Sequence, residues 1–184
     1  MKEKRDMKAR LRVRVLALCA MLAAMSVVLA YLAKLIFGLG PVRITFENLP
    51  IIFGGVTFGP VAGVMVALAA DLCSCLWAAQ APNPLILLGS ALVGAIAGVL
   101  GRYVCVGKRW LSFFLIEFFA HLVGSIVVKS WALYTYYGYH VLLLLPRVPL
   151  YLVIALAESY LLCVICRNKG VTTLLKGCTA HDLR

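Results

Sequence analysis

The sequence predicts an all-α integral membrane bundle of six transmembrane helices, one of them short, with both termini cytoplasmic. Three observations carry that prediction. Of the 184 residues, 64% are hydrophobic and 14% are charged, and the mean hydropathy is +1.00. A soluble domain of this length cannot hide so much apolar surface, so lipid is its natural solvent. The long apolar runs also lack the alternation of barrel strands, which leaves helices as the way to satisfy backbone polar groups in lipid. Third, of the 18 Lys and Arg residues, against 7 Asp and Glu, 14 gather at three places: residues 2–14, the middle at Arg102, Lys108 and Arg109, and residues 167–184. Lys and Arg mark cytoplasmic ends, so the net charge of +11 reads as topology. A nucleic-acid surface would need a folded basic face, and none is available.

Residues 1–12 form a basic cytoplasmic lead-in. The first helix is predicted over 13–37, long enough to cross with some tilt. No small-residue cleavage site ends this run, so it reads as a true span rather than a removable leader. One face carries small residues: Ala20 and Ala24 are four apart, with Ala17, Ala23 and Ala30 nearby. Such spacing lets another helix approach closely, and both packing within the bundle and docking of a partner fit it.

A break at 38–41 leads into an outer loop holding Arg43 and Glu47, and the second apolar piece, 49–58 within a helix predicted over 46–58, is too short to span comfortably. Counting it as a crossing puts both termini and the Arg102–Arg109 loop on one side, whereas leaving it out throws two basic clusters outside. Six crossings follow. A short helix must be shielded by its neighbours, which suggests a cavity at its outer end. The remaining helices are predicted over 60–79, 84–106, 110–138 and 146–167, with Pro82 and Pro84 stiffening an outer loop. The membrane domain is thus 13–167, and 168–184 form a cytoplasmic tail.

Charges inside a bilayer are costly, so each is a functional candidate. The outer half collects Arg43, Glu47, Asp71, Lys129 and Arg147. Outer cations run against the positive-inside rule, and a pocket for an anionic solute gives them a reason: Arg forks a carboxylate, and Lys supplies a point charge. Trp77, Trp131, Tyr134, Tyr137 and Tyr151 are candidate walls, although Tyr136, Tyr137 and Tyr139 also fit an ordinary interfacial belt. Trp131 lies deeper and is the preferred aromatic. Asp71 and Lys129 fit an internal ion pair as well as a ligand contact.

Enzyme chemistry finds no support. Gly101 to Arg109 brushes the phosphate-loop pattern but has one residue too many, and Arg stands where Ser or Thr must hold magnesium. No nucleophile elbow or zinc-protease motif occurs. Seven cysteines are present, and Cys73/Cys75 and Cys163/Cys166 lack a matching pair at zinc-site spacing, so buried apolar thiols describe them better. Glu117 and His121 are four apart on one helix face with no third ligand in view, which favours a helix–helix hydrogen bond; the partner of Glu158 is not visible from sequence. No metal or cofactor is expected.

Several of these residues form a recognisable pattern. Arg43-Ile-x-Phe46, Leu49-Pro50, and Phe58-Gly59-Pro60 followed by a Gly/Ala-rich helix ending Ala70-Asp71-Leu72 resemble the substrate-binding S components of energy-coupling factor (ECF) vitamin transporters. Lys129-Ser-Trp131 through Tyr137-Gly138, with Leu144-Leu145-Pro146-Arg147, resembles their folate-type branch. The resemblance implies a multi-pass cell-membrane protein that captures a vitamin outside and docks on a transmembrane scaffold driven by two ATPase subunits. ATP hydrolysis would then belong to those partners. It implies that Ala20 and Ala24 meet the scaffold, and that loops containing Arg43 and Asn83 cap the pocket. Folate fits the chemistry: Arg43, Arg147 and Lys129 are available for its two carboxylates, Trp131 and Tyr134 for its flat pterin, and Asp71 for the pterin's amino-amide edge. The competing readings are an S component for riboflavin, thiamine, pantothenate or a queuine-like solute, and a structural membrane protein of the cell-shape type with no solute.

Overall fold

The computed structural model describes residues 2–37, 44–103 and 109–171. Among the described residues the regular structure is wholly helical: α1 (Lys2–Phe37), α2 (Asn48–Phe58), α3 (Pro60–Trp77), α4 (Pro84–Tyr103), α5 (Arg109–Ala120), a π-helical segment (His121–Val128), α6 (Lys129–Tyr137), α7 (Val141–Leu144) and α8 (Arg147–Arg167). Five stretches are long and apolar enough to cross a membrane: Arg12–Ile36, Pro60–Trp77, Pro84–Tyr103, Trp110–Tyr137 and Val141–Arg167. The sixth expected helix is the short α2.

At about 1.5 Å per residue, the 11 residues of α2 reach only about 16 Å. Such a helix survives in an apolar medium by being enclosed, and most of it is buried, including Ile51, Ile52 and Phe58. It packs against α1, α3 and α4. Gly59 takes φ 99°, a conformation that favours glycine, and reverses the chain so that Pro60 can open α3.

Small residues set the tightest contact in the bundle, between α3 and α4. A Cβ on Gly63 would run into the backbone oxygen of Gly94, and one on Gly94 into that of Gly63. On the other side of α4, a Cβ on Gly124 would lie 2.6 Å from the oxygen of Gly89, which draws the π segment against α4. Without a hydrophobic drive between helices in lipid, this close backbone approach is what holds them together.

The alanine-rich α1 divides cleanly. Cys19, Ala23, Ser26, Ala30 and Ala33 are buried, and α1 packs on α2 and α3. Ala17, Ala20 and Ala24 are exposed on another face.

The fifth crossing differs from the expected uniform helix. Its middle is a π segment of eight residues, and α7 precedes Pro146 where a loop was expected. Gly138, at φ 66°, ends α6 in the left-handed cap that favours glycine, with Tyr139 N–H donating to the Leu133 oxygen at 3.3 Å.

Candidate functional site

One end of the bundle holds a cavity of about 330 Å³, within the range of small-molecule pockets. Six places in the chain supply its principal polar groups. Lys34 comes from α1, Glu47 from the residue before α2, Asp71 from α3, Asn83 from the loop before α4, Lys129 from α6 and Arg147 from α8. Arg102 and Arg167 lie in the last turns of α4 and α8, and neither they nor Arg12 and Arg14 of α1 line this cavity.

Local chemistry fixes several of these groups. Ser26 donates its hydroxyl to the Glu47 backbone oxygen at 2.6 Å, tying α1 to the start of α2. The Asn83 side-chain oxygen accepts from Leu85 N–H at 3.0 Å and so caps α4, while its residue lines the cavity. Lys129 and Arg147 are 8% and 5% exposed, unusual values for cations, which seldom lie buried without compensation. Arg147 donates to the Ser125 backbone oxygen at 3.1 Å and to the Tyr151 hydroxyl at 3.4 Å. Its guanidinium lies 5.4 Å from the Tyr151 ring centroid, a cation–π distance. The fork is therefore held in place before any ligand arrives.

Three cations and two carboxylates line the space, an excess of positive charge. Tyr137, Tyr139 and Tyr151 supply aromatic surface. Such a site suits a planar solute carrying negative charge.

Of the residues singled out from sequence, Asp71, Asn83, Lys129 and Arg147 are brought together in this cavity. Arg43 lies outside the described residues. Trp131 and Tyr134 are not brought in. They are 65% and 56% exposed and line a separate apolar groove formed with α7 and the start of α8. Two positions along a helix turn a side chain through about 200°, so a buried Lys129 sends Trp131 to the opposite face. The aromatic of α6 that lines the cavity is Tyr137, eight residues on from Lys129. Trp77 is 71% exposed and meets Tyr31 edge-on at 5.5 Å, away from the cavity lining. Sequence reasoning missed Lys34, because a lone lysine near the end of a long helix looks like an interfacial anchor.

A second polar group lies behind Tyr151, whose ring centroid is 5.2 Å from that of His121. Nε2 of His121 is 2.7 Å from Oε2 of Glu158 and 3.6 Å from Oε2 of Glu117. The expected helix–helix hydrogen bond from this pair thus exists, and its partner is Glu158 on α8.

An all-helical membrane bundle with a charged, tyrosine-walled cavity at one end defines a solute-binding membrane protein. The comparisons with known proteins place it further. The chain belongs to the family of ECF transporter substrate-specific components, whose pattern matches residues 14–166. It is therefore a substrate-binding transporter subunit rather than an enzyme. A solved structure of FolT bound with folic acid has the same fold, with a TM-score of 0.63 and 21% identity, covering 91% of this chain and 98% of that one. No curated protein is significantly similar to the chain.

Proposed function

We propose that this protein is the folate-binding S component of an ECF transporter in the cell membrane. The observation that carries this reading is the cavity itself: Lys34, Lys129 and Arg147 converge with Asp71 and three tyrosines in a space of vitamin size. The family match sets aside the cell-shape reading. Folate is favoured over other vitamins by the fold shared with FolT bound with folic acid and by chemical fit. Its two carboxylates take Arg147, Lys129 and Lys34, with Arg43, outside the described residues, as a further proposed partner. Tyr137, Tyr139 and Tyr151 pack on the pterin and benzoyl rings. Asp71 accepts from the pterin's amino-amide edge, and Asn83 closes the site from its loop. Trp131 and Tyr134 stay towards lipid.

In the membrane, both termini and the basic ends face the cytoplasm and the cavity faces outside, as the distribution of Lys and Arg requires. Ala20 and Ala24, exposed on α1, meet the transmembrane scaffold, and two ATPase subunits energise release. Residues 1–12 and 168–184 flank the membrane domain as cytoplasmic segments.

Isothermal titration of the purified chain with folate, riboflavin, thiamine and pantothenate tests the assignment. The reading expects heat of binding from folate at submicromolar concentration and none from the others. Binding of another vitamin alone would move the protein to that substrate; silence from all four would remove the vitamin reading of this cavity.

A further inference from the structure

We propose that Glu117, His121 and Glu158 form a binding site for one divalent transition-metal ion, with zinc as the reference probe. The site lies apart from the vitamin cavity and joins the fifth crossing to α8. One atom from each residue can be chosen so that all three lie within 4.8 Å of one another, and all three residues are buried. The nearest pairs are 2.7 Å and 3.6 Å, against about 3.4 Å between ligands of a tetrahedral ion at ordinary zinc distances. Closing round an ion therefore asks the His121–Glu158 pair to part by less than an ångström.

A second observation points to a cation. Both Glu117 carboxyl oxygens and Oε1 of Glu158 are buried with no hydrogen-bond donor among the described residues, and both side chains are 0% exposed. Buried acceptors left without a donor are costly. Two facing carboxyls offer only acceptors when ionised, so positive charge, either a proton or a cation, must lie between them. A dication supplies it with the right arithmetic: two carboxylates and a neutral imidazole carry −2, and the loaded site is uncharged, which suits a membrane interior. On loading, the Nε2 lone pair of His121 takes the ion while Nδ1 keeps the ring's one proton towards Ser125, and any further proton that the empty site held on the ring or on a carboxyl leaves to solvent.

The surroundings fit a ligating histidine. His121 Nδ1 lies 3.3 Å from the Ser125 hydroxyl, the outer contact that fixes ring orientation and tautomer at metal sites. Glu117 and His121 present ligands one turn apart, and the π segment begins at His121; such distortions recur at functional sites. The donor set has nitrogen and oxygen but no thiolate, which suits zinc and neighbouring divalent ions.

The test uses the full chain in lipid nanodiscs, stripped with chelator, loaded with zinc chloride, desalted and assayed for metal by mass spectrometry. Wild type should retain about one zinc per chain, and E117Q and E158Q should bind at least tenfold more weakly. Zinc should raise the melting temperature of wild type and leave both variants unmoved. Retention of no zinc by wild type overturns the site and leaves a proton shared between the two carboxyls as the neutralising charge. Equal retention by the variants also overturns it, since the metal is then held by thiols. X-ray absorption of zinc-loaded wild type decides without any variant. Nitrogen and oxygen neighbours near about 2.0–2.1 Å support the site, and sulfur near about 2.3 Å contradicts it.

Discussion

Lys129 reaches the cavity by passing over Gly89. A Cβ built on Gly89 would lie 2.7 Å from Lys129 Cγ and 2.9 Å from the Gly124 oxygen, so α4 gives up a side chain where the lysine stem crosses it. A glycine on one helix thereby decides where the charge on another can point.

Gly89→Ala should therefore act on the ligand as well as on the fold. Pushing the stem aside misplaces a buried cation, and the expected cost is that of a charged hydrogen bond, about 1.5–3 kcal/mol, or roughly 10–150-fold in affinity. Titration with folate checks it, with melting temperature followed in parallel to separate loss of binding from loss of folding.

Arg147→Lys should not rescue the arginine. The guanidinium uses one nitrogen on both the Ser125 oxygen and the Tyr151 hydroxyl and lies over the Tyr151 ring. An ammonium keeps the charge and loses the fork and the stack. Folate affinity is expected to fall by about tenfold or more, with Arg147→Ala lower still.

The aromatic residues divide by face. Tyr139→Ala should weaken folate binding by about 0.5–1.5 kcal/mol, the scale of one aromatic contact. Trp131→Ala and Tyr134→Ala should leave affinity within about twofold, because surface positions away from a site seldom matter. The reverse ranking by calorimetry would place the ring of the vitamin in the lipid-side groove instead.

The α1 face separates binding from transport. Ala20→Leu and Ala24→Leu add bulk to exposed positions and should leave folate affinity unchanged while lowering uptake in cells that carry the energising subunits. Close helix approach needs small residues, so one added side chain is enough to disturb it. Equal uptake by both variants would move the scaffold contact to another face.

Much of this was readable from residues alone, for physical reasons that can be named. The short helix α2 was legible from its apolar run and the Gly59-Pro60 break, and the placement of the basic clusters argues for counting it as a crossing. Asp71, Lys129 and Arg147 stood out because charges in lipid need a reason, whereas Asn83 came only from the family resemblance. Helical phase was harder. Trp131 sits two residues from Lys129 and looked deep by sequence position, yet depth along a helix says nothing about which side faces lipid. The π segment from His121 to Val128 compounds this, since its wider turn re-phases every side chain beyond it relative to an ideal α-helix. Glu158 was illegible as a partner of His121 for a different reason: the two are 37 residues apart, and no local pattern reports a contact between separate helices.

Lys34, Asp71, Lys129 and Arg147 line the cavity that we propose holds folate. Calorimetric titration of Lys129→Met beside wild type tests that proposal most directly. Wild type should bind folate at submicromolar concentration and the variant at least tenfold more weakly, with the melting temperature of the unliganded protein nearly unchanged. Folate affinity that is equal in the two proteins would contradict it.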